Sequence, residues 1–199
     1  MFKRVKTKFI LAILGMISLF FSGIAQATVY EIDPNHSTIG FAAKHLQVST
    51  TRGNFTDYKG TIDFNPEDLT AFKADVTIQA GSINTQNEKR DNHLRSGDFF
   101  EAEQYPTITF TSTRIAESGG GYSILGELTI KGVTKTISIP VEIAGPVASP
   151  MGSQVIGIKG QTVIDRQDFG VSWSKTMDNG GLVVSDVVDI IIELEAGAK

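Results

Sequence analysis

Hydrophobic and polar residues alternate with a period of two along most of the chain after residue 27. In the stretch Phe72–Gln79, for example, Phe72, Ala74, Val76 and Ile78 are apolar and the residues between them are polar. Neighbouring side chains of a β-strand point to opposite faces, so this alternation predicts half-buried strands. Roughly eight such segments follow one another through short turns without a change in composition, which predicts one all-β domain over residues 28–199, an antiparallel barrel or sandwich.

One stretch interrupts this alternation. Thr85 and Glu88 have the spacing of a capping box, and Gly97 stands where a helix C-terminus is expected, which predicts a helix at about residues 85–96. Between these ends Leu94 is the one sizeable apolar residue. A helix this polar cannot be buried in a core, so we expect it to lie across an opening of the sheet. The helix therefore favours a barrel, whose mouth it would cover, over a sandwich.

The apolar faces of the predicted strands are first of all a packed core. The inside of an eight-stranded barrel, however, is just wide enough to be filled by side chains or to hold one slender ligand. Periodicity does not distinguish a filled barrel from a hollow one, so residues of the shared inner face are candidates for either role. The candidate tunnel residues are Phe41, Val76, Ile78, Ile108, Phe110, Ile124, Ile137, Ile139, Ile156 and Ile158.

The first 27 residues have the features of a secretion signal. Four basic residues lie within Lys3–Lys8, a short apolar run covers Phe9–Phe21, and Ala25–Ala27 has the small-x-small pattern of a cleavage site. The apolar run is shorter than the roughly 20 residues needed to cross a bilayer, which disfavours a membrane anchor. We therefore expect an exported protein that is cleaved between Ala27 and Thr28 and is not stably inserted in a membrane.

Removal of that segment makes the chain more acidic. The whole sequence has 18 Lys and Arg against 22 Asp and Glu, and loss of the four basic residues leaves 14 against 22, a net charge of −8. This charge argues against nucleic acid and anionic membrane surfaces as partners. The sequence contains no cysteine, so an exported fold of this kind depends on its hydrophobic core rather than on disulfides.

Candidate polar chemistry is confined to a few residues. Arg90, Asp91 and His93 fall within one turn of the predicted helix and, together with His36, are candidates for a polar gate that meets a ligand head group. The alternative is a solvated helix held by its own ion pairs. His36, His45 and His93 are the only histidines, but they have no recognised metal-ligand spacing. We expect no metal and no cofactor, and the sequence has no nucleophile elbow or phosphate loop that would predict a catalytic residue.

Eight short motifs resemble, in order, those of the YceI-like family. The resemblance covers residues 28 to about 195 and is most specific between residues 90 and 110. The motifs are Asp33–Ser37, Gly53–Phe55, Ser82–Thr85, Arg90–Ser96, Asp98–Phe100, Tyr105–Phe110, Gly126–Thr134 and Asp165–Gly170.

The resemblance implies a lipocalin-like antiparallel β-barrel that is exported to the bacterial periplasm and binds long apolar chains. It implies no established enzymatic activity, and it makes a homodimer plausible. We therefore expect a non-enzymatic carrier that holds a polyisoprenoid, an isoprenoid quinone or a fatty-acid derivative inside a hollow barrel. The alternatives are a metal- or quinone-dependent redox accessory that uses His36, His45 and His93, and a packed barrel that binds other proteins.

Overall fold

The computed structural model describes residues 27–178 and 180–199, which form a β-structure with one short α-helix. The predicted secretion signal, apart from Ala27, lies outside the described residues. The strands are β1 (Thr28–Ile32), β2 (Thr38–His45), β3 (Ser49–Phe55), β4 (Tyr58–Phe64), β5 (Lys73–Gln79), β6 (Ile83–Asn84), β7 (Thr107–Ser118), β8 (Gly121–Ile130), β9 (Val133–Ala148), β10 (Gln154–Asp165) and β11 (Val184–Ala198), and the helix is α1 (Glu88–Arg95).

The eleven strands close into a ring. The ring has eight positions rather than eleven because three positions are each shared by two consecutive strands. The first shared position holds β1 and β2, which both pair with β11. The second holds β4, which pairs with β1, and β3, which pairs with β2. The third holds β5, which pairs with β4, and β6, which pairs with β3. From there β5, β7, β8, β9, β10 and β11 pair in turn, and every pairing is antiparallel. The predicted single antiparallel β-barrel of about eight strands, with one polar helix, is therefore confirmed.

The bend between β1 and β2 is tied to the last strand. Asp33 caps the 3-10 turn in this bend, its side chain accepting a hydrogen bond from the Asn35 amide at 2.9 Å. Its own amide donates to the Glu195 carbonyl at 2.9 Å. The Ser37 hydroxyl donates to the same carbonyl at 3.2 Å and accepts from the Glu195 amide at 2.9 Å. These bonds keep both halves of the bent strand against β11.

One end of the barrel is filled by side chains. Tyr30, Phe64 and Ile156 are at most 2% exposed there. The Phe64 ring meets the Phe72 and Tyr122 rings edge to face, with centroids 6.4 Å apart in both pairs, the geometry that ring quadrupoles favour. This packed end is solid core.

The opposite end, the helix end, carries α1. The Arg95 guanidinium ties α1 to the segment around β6, donating to the Gly81 carbonyl at 2.7 Å and to the Ile83 carbonyl at 2.9 Å. Across the barrel, Lys131 Nζ in the β8–β9 turn donates to the Gly97 carbonyl at 3.2 Å. The helix thus spans the end of the ring, as predicted. In the described ranges, no helix is long and apolar enough to cross a bilayer.

The helix is shorter than the predicted range of 85–96. It begins at Glu88 with Asn87 as its N-cap, whose side-chain oxygen accepts from the Arg90 amide at 3.0 Å. Thr85, the predicted cap, does not fill that role because its own side chain bonds Asp91 and Arg90. A capping interaction of the expected chemistry is therefore present, two residues later than predicted.

Candidate ligand-binding site

Between the packed end and α1 the barrel encloses a cavity of about 200 Å³. All eight positions of the ring contribute inward-facing residues to its wall. The lining side chains are aliphatic or aromatic, and among the described residues Arg166 is the one charged residue at the wall. Such a wall suits an apolar ligand, because a polar ligand atom inside it would lose its water without gaining a hydrogen-bond partner.

Nine of the ten predicted tunnel residues lie at this wall. Ile156 is the exception: it is 1% exposed and belongs to the packed end, two residues along β10 from Ile158, which does line the cavity. The contact of these side chains with a ligand stays a prediction. The nine that line the cavity are Phe41, Val76, Ile78, Ile108, Phe110, Ile124, Ile137, Ile139 and Ile158.

Several residues at the wall were not among the predicted candidates. Leu94 of α1 and the following Phe99 and Phe100 reach the cavity from the helix end. Sequence alternation gives no signal for them because they lie outside the sheet. The inner face of β11, which includes Val188 and Ile190, also lines the cavity, and its alternating pattern was sufficient to find it.

Arg166 lies at the wall but is held by the protein. It is 6% exposed. Its guanidinium donates to the Val171 carbonyl at 2.6 Å, the Ser185 carbonyl at 3.0 Å and Asp186 Oδ1 at 2.7 Å. Burial lowers the pKa of Arg166, and the charge of Asp186 opposes this shift. Since all three guanidinium nitrogens already donate within the fold, Arg166 shapes the cavity wall rather than offering a free cation to a ligand.

Arg90 and Asp91, two of the predicted gate residues, bond to Thr85 instead of facing the cavity. Arg90 Nε donates to Thr85 Oγ1 at 2.8 Å and Nη2 donates to the Thr85 carbonyl at 2.9 Å. Asp91 is 6% exposed and accepts from both the amide and the hydroxyl of Thr85. Neither residue lines the cavity. Together they anchor the first turn of α1 to the end of β6.

His93, the third residue of the predicted gate, belongs to an aromatic cluster at the helix end. Its ring meets Phe99 and Trp173 edge to face, with centroids 5.0 and 5.3 Å away, and the Phe99 and Trp173 rings lie 5.3 Å apart. His93 Nε2 also lies 2.8 Å from Asp98 Oδ2. Because Phe99 lines the cavity as well, this cluster of His93, Phe99 and Trp173 joins α1 to the segment before β11 over the end of the cavity.

His36, the fourth gate candidate, lies away from the cavity in the bend between β1 and β2. Its Nδ1 is 2.7 Å from Asp33 Oδ2 and 3.9 Å from Glu195 Oε1. The hydrogen bond with Asp33 raises the pKa of His36 and lowers the pKa of Asp33. The three side chains have metal-ligand atoms within 4.8 Å of one another, but His36 is 65% exposed and such solvated clusters are common without a metal.

The three histidines do not share a site. His36 lies in the bend, His45 ends β2, and His93 lies in α1 against Trp173. Among the described residues, one group of possible metal ligands includes a histidine, and of the three histidines it contains His36 alone. Within the described part of the chain, the three histidines therefore do not form one joint metal site, and the redox alternative stays a prediction without that support.

The comparisons with known proteins agree on one family. The model of the YceI-like domain matches residues 30–196. A UPF0312 protein of Staphylococcus aureus strain MRSA252 is 40% identical over 173 residues, which cover 86% of this chain and 96% of that protein. The crystal structure of a Campylobacter jejuni YceI protein is 40% identical, with a TM-score of 0.68 over 78% of this chain and 90% of that chain.

A more distant structure has the same fold. It is a polyisoprenoid-binding domain from Saccharophagus degradans implicated in plant cell wall breakdown, and it is 19% identical, with a TM-score of 0.62 over 86% of this chain and 99% of that chain. Both the sequence relatives and the barrel thus lead to the same assignment. The chain belongs to the YceI-like family.

Proposed function

We propose that this protein binds a long-chain apolar ligand inside its barrel and releases it chemically unchanged. The ligand class is a polyisoprenoid, an isoprenoid quinone or a fatty-acid derivative. The observation that carries the proposal is the cavity, whose wall is apolar at all eight positions of the ring. The domain from Saccharophagus degradans, which shares the fold and binds polyisoprenoids, supports the same ligand class.

The energetics of such binding are adequate. Burial of a methylene group stabilises a complex by roughly 0.8 kcal/mol. A partly enclosed chain of roughly 15 to 20 carbons therefore reaches micromolar affinity after the cost of association is subtracted. No ion pair is needed for this affinity, which fits a wall whose one arginine is already bonded within the fold.

The cavity of about 200 Å³ is smaller than the roughly 300–1,000 Å³ of most ligand pockets. We infer that a long chain gains room at the helix end. Leu94, Phe99 and Phe100 project into the cavity from outside the sheet. Displacement of these side chains therefore lengthens the cavity without breaking the hydrogen bonds between the strands.

The proposed compartment is the bacterial periplasm. The basic, apolar and small residues of the first 27 positions support export, and the net charge of −8 after their removal supports an aqueous location rather than residence on an anionic membrane surface. Mass analysis of the exported protein tests this assignment, since the proposal requires an N-terminus at Thr28.

The test of the ligand is native mass spectrometry of the mature protein, purified gently from its own host, followed by solvent extraction. We expect a discrete adduct that extracts as a long-chain lipid. A mass equal to that of the bare polypeptide, with no increase after addition of polyisoprenoid alcohols or fatty acids, would reject the proposal. The barrel interior would then be an ordinary packed core.

A further inference from the structure

Two glycines occupy positions of the barrel wall that face inward. Gly53 on β3 stands directly opposite Phe41 on β2, and Phe41 lines the cavity. Gly126 on β8 lies between Ile124 and Leu128 in the alternation of that strand, and both neighbours line the cavity. A side chain at either position would therefore point into the barrel.

A phenylalanine ring covers each of these glycines. A methyl group on Gly53 would stand 2.6 Å from Cζ and 2.9 Å from Cε1 of Phe41, and 2.7 Å from Cγ2 of Thr85. A methyl group on Gly126 would stand 2.4 Å from Cζ and 2.6 Å from Cε2 of Phe110. Non-bonded carbon atoms pack at about 3.5–4.0 Å, so both rings occupy space that any other residue at the glycine would need.

This arrangement bears on the width of the cavity. The inside of an eight-stranded barrel is just wide enough to be filled by side chains. Because Phe41 and Phe110 lie in the places left by Gly53 and Gly126, their rings rest against the wall instead of crossing the barrel. The space near the barrel axis is left open in consequence.

We propose that these two pairs, Phe41 over Gly53 and Phe110 over Gly126, determine the specificity of the cavity by making it wide enough for a methyl-branched chain. A straight chain has a smaller cross-section and fits a narrower cavity equally well. The pairs therefore matter for branched ligands and little for straight ones. This inference rests on the proposed function, since it assumes that the cavity holds a chain.

The experiment compares two alcohols, phytanol and hexadecanol, which have the same main-chain length and head group and differ in methyl branches. The main variant is Gly53→Ala, because the atoms that the new methyl would meet, in Phe41 and Thr85, all belong to side chains. The matched control is Gly157→Ala on β10, where a methyl group would have no neighbour closer than 3.9 Å. Affinity is measured by native mass spectrometry and by the ligand-induced shift of the melting temperature.

We expect the unaltered protein and Gly157→Ala to bind both alcohols. Gly53→Ala pushes the Phe41 ring toward the axis, so its affinity for phytanol falls at least about tenfold relative to hexadecanol, the size expected for a change of about one methyl in an apolar pocket. The double variant Gly53→Ala with Phe41→Leu restores the phytanol affinity. Gly53→Ala also presses on Thr85, so a second variant separates the two contacts. Phe41→Trp keeps Gly53, adds no methyl group against Thr85 and adds ring volume, and it is expected to give the same selective loss whether or not Gly53→Ala folds.

Two outcomes overturn the inference, and they are distinguishable. If the narrowed variant loses both alcohols equally, or neither, while the unaltered protein binds both, the ring–glycine pairs do not set specificity although the cavity holds a chain. If the unaltered protein binds neither alcohol and carries no lipid from its host, the proposed function fails and the inference with it.

Discussion

At the scale of single residues, Thr85 organises the helix end. Its side chain is buried, and its hydroxyl donates to Asp91 while accepting from Arg90. The hydroxyl thus links a buried carboxylate and an exposed guanidinium in one network. Removal of one member leaves a buried polar group without its partner. This lowers the free energy of unfolding by more than an average hydrogen bond contributes.

Replacement of Thr85 by valine tests this network. The shape of the side chain is nearly kept, but Asp91 loses one donor and Arg90 Nε loses its acceptor. We expect the free energy of unfolding to fall by about 1–3 kcal/mol, measured by urea denaturation. The matched control is Thr136→Val on the exposed outer face of β9, expected within about 0.5 kcal/mol of the parent. Equal stability of the two variants would contradict the role given to Thr85.

A charge at the cavity wall is expected to remove binding. Ile139 is 6% exposed and lines the cavity, so Ile139→Glu places an unpaired carboxylate in an apolar site. We expect a loss of at least about 3 kcal/mol in stability and no lipid adduct in native mass spectrometry. Ser138→Glu, at the next position and on the opposite face of β9, serves as the control and keeps the adduct. A folded Ile139→Glu protein that still takes up lipid would remove Ile139 from the binding site.

The same residues show what sequence analysis could predict. Alternation assigned Ile156 and Ile158 to one face of a strand, but it carries no information about height along the barrel, and only Ile158 reaches the cavity. Polarity predicted an exposed helix, yet Asp91 is buried because a threonine outside the helix binds it. Phe169, Val171 and Trp173 alternate with Gly170 and Ser172, but alternation gives only the face of a residue and not its partner, so no pattern indicated that Trp173 would meet His93.

At the scale of elements, the bend between β1 and β2 is sensitive to pH. Asp33 raises the pKa of His36 above its ordinary 6.5, so the protonated imidazole contributes stability that is full below pH 6.5 and is lost as pH rises through the raised pKa. His36 lowers the pKa of Asp33 below 3.8, so that carboxylate contributes above pH 3.8 and its contribution is lost as pH falls through the lowered pKa. The contribution of this pair to stability is therefore greatest between pH 3.8 and pH 6.5.

His36→Gln tests this dependence. We expect the melting temperature of the unaltered protein to decline as pH rises above 6.5 and the variant to show a shallower decline. Because the pair is exposed to solvent, high salt is expected to reduce the difference by screening. Parallel melting curves of the two proteins across this range would contradict the assignment.

The aromatic cluster of His93, Phe99 and Trp173 provides a direct signal for ligand uptake. Trp173 is the single tryptophan of the sequence, so all tryptophan fluorescence reports on this cluster. If uptake displaces Phe99, hexadecanol is expected to change the emission spectrum. Unchanged emission on binding would place uptake elsewhere.

The two ring contacts of His93 are expected to slow ligand exchange. Each edge-to-face contact contributes about 0.5–1.5 kcal/mol, so loss of both contacts in His93→Ala is expected to speed ligand exchange roughly tenfold.

At the scale of the whole molecule, the last strand closes the barrel by pairing with both β2 and β1, and the pairing with β1 forms a seam at its end. Tyr30, Glu31 and Ile32 of β1 pair with residues 196–198 of β11, and the Lys199 amide donates to the Val29 carbonyl at 3.1 Å. Truncation after Glu195 removes this seam together with the pairing of Ala196 and Gly197 with β10. With about 1 kcal/mol for each of roughly three hydrogen bonds of the seam alone, we expect the melting temperature to fall by at least roughly 6–12 °C.

The control for the truncation is Lys199→Ala, which keeps the backbone of the seam and removes one exposed side chain. We expect its melting temperature to stay within about 2 °C of the parent. A truncated protein as stable as this control would mean that the ring does not depend on the seam.

The seam also sets an order of events during synthesis. Its two edges are separated along the chain by everything between Ile32 and Ala196, and such distant pairings form late and slowly in folding. A chain that is threaded through a membrane pore N-terminus first must therefore keep β1 as an unpaired edge until β11 emerges. If the protein is exported as proposed, its partly translocated chain exposes that edge to other chains, so a chaperone that shields the edge, or rapid completion of transport, would protect against aggregation.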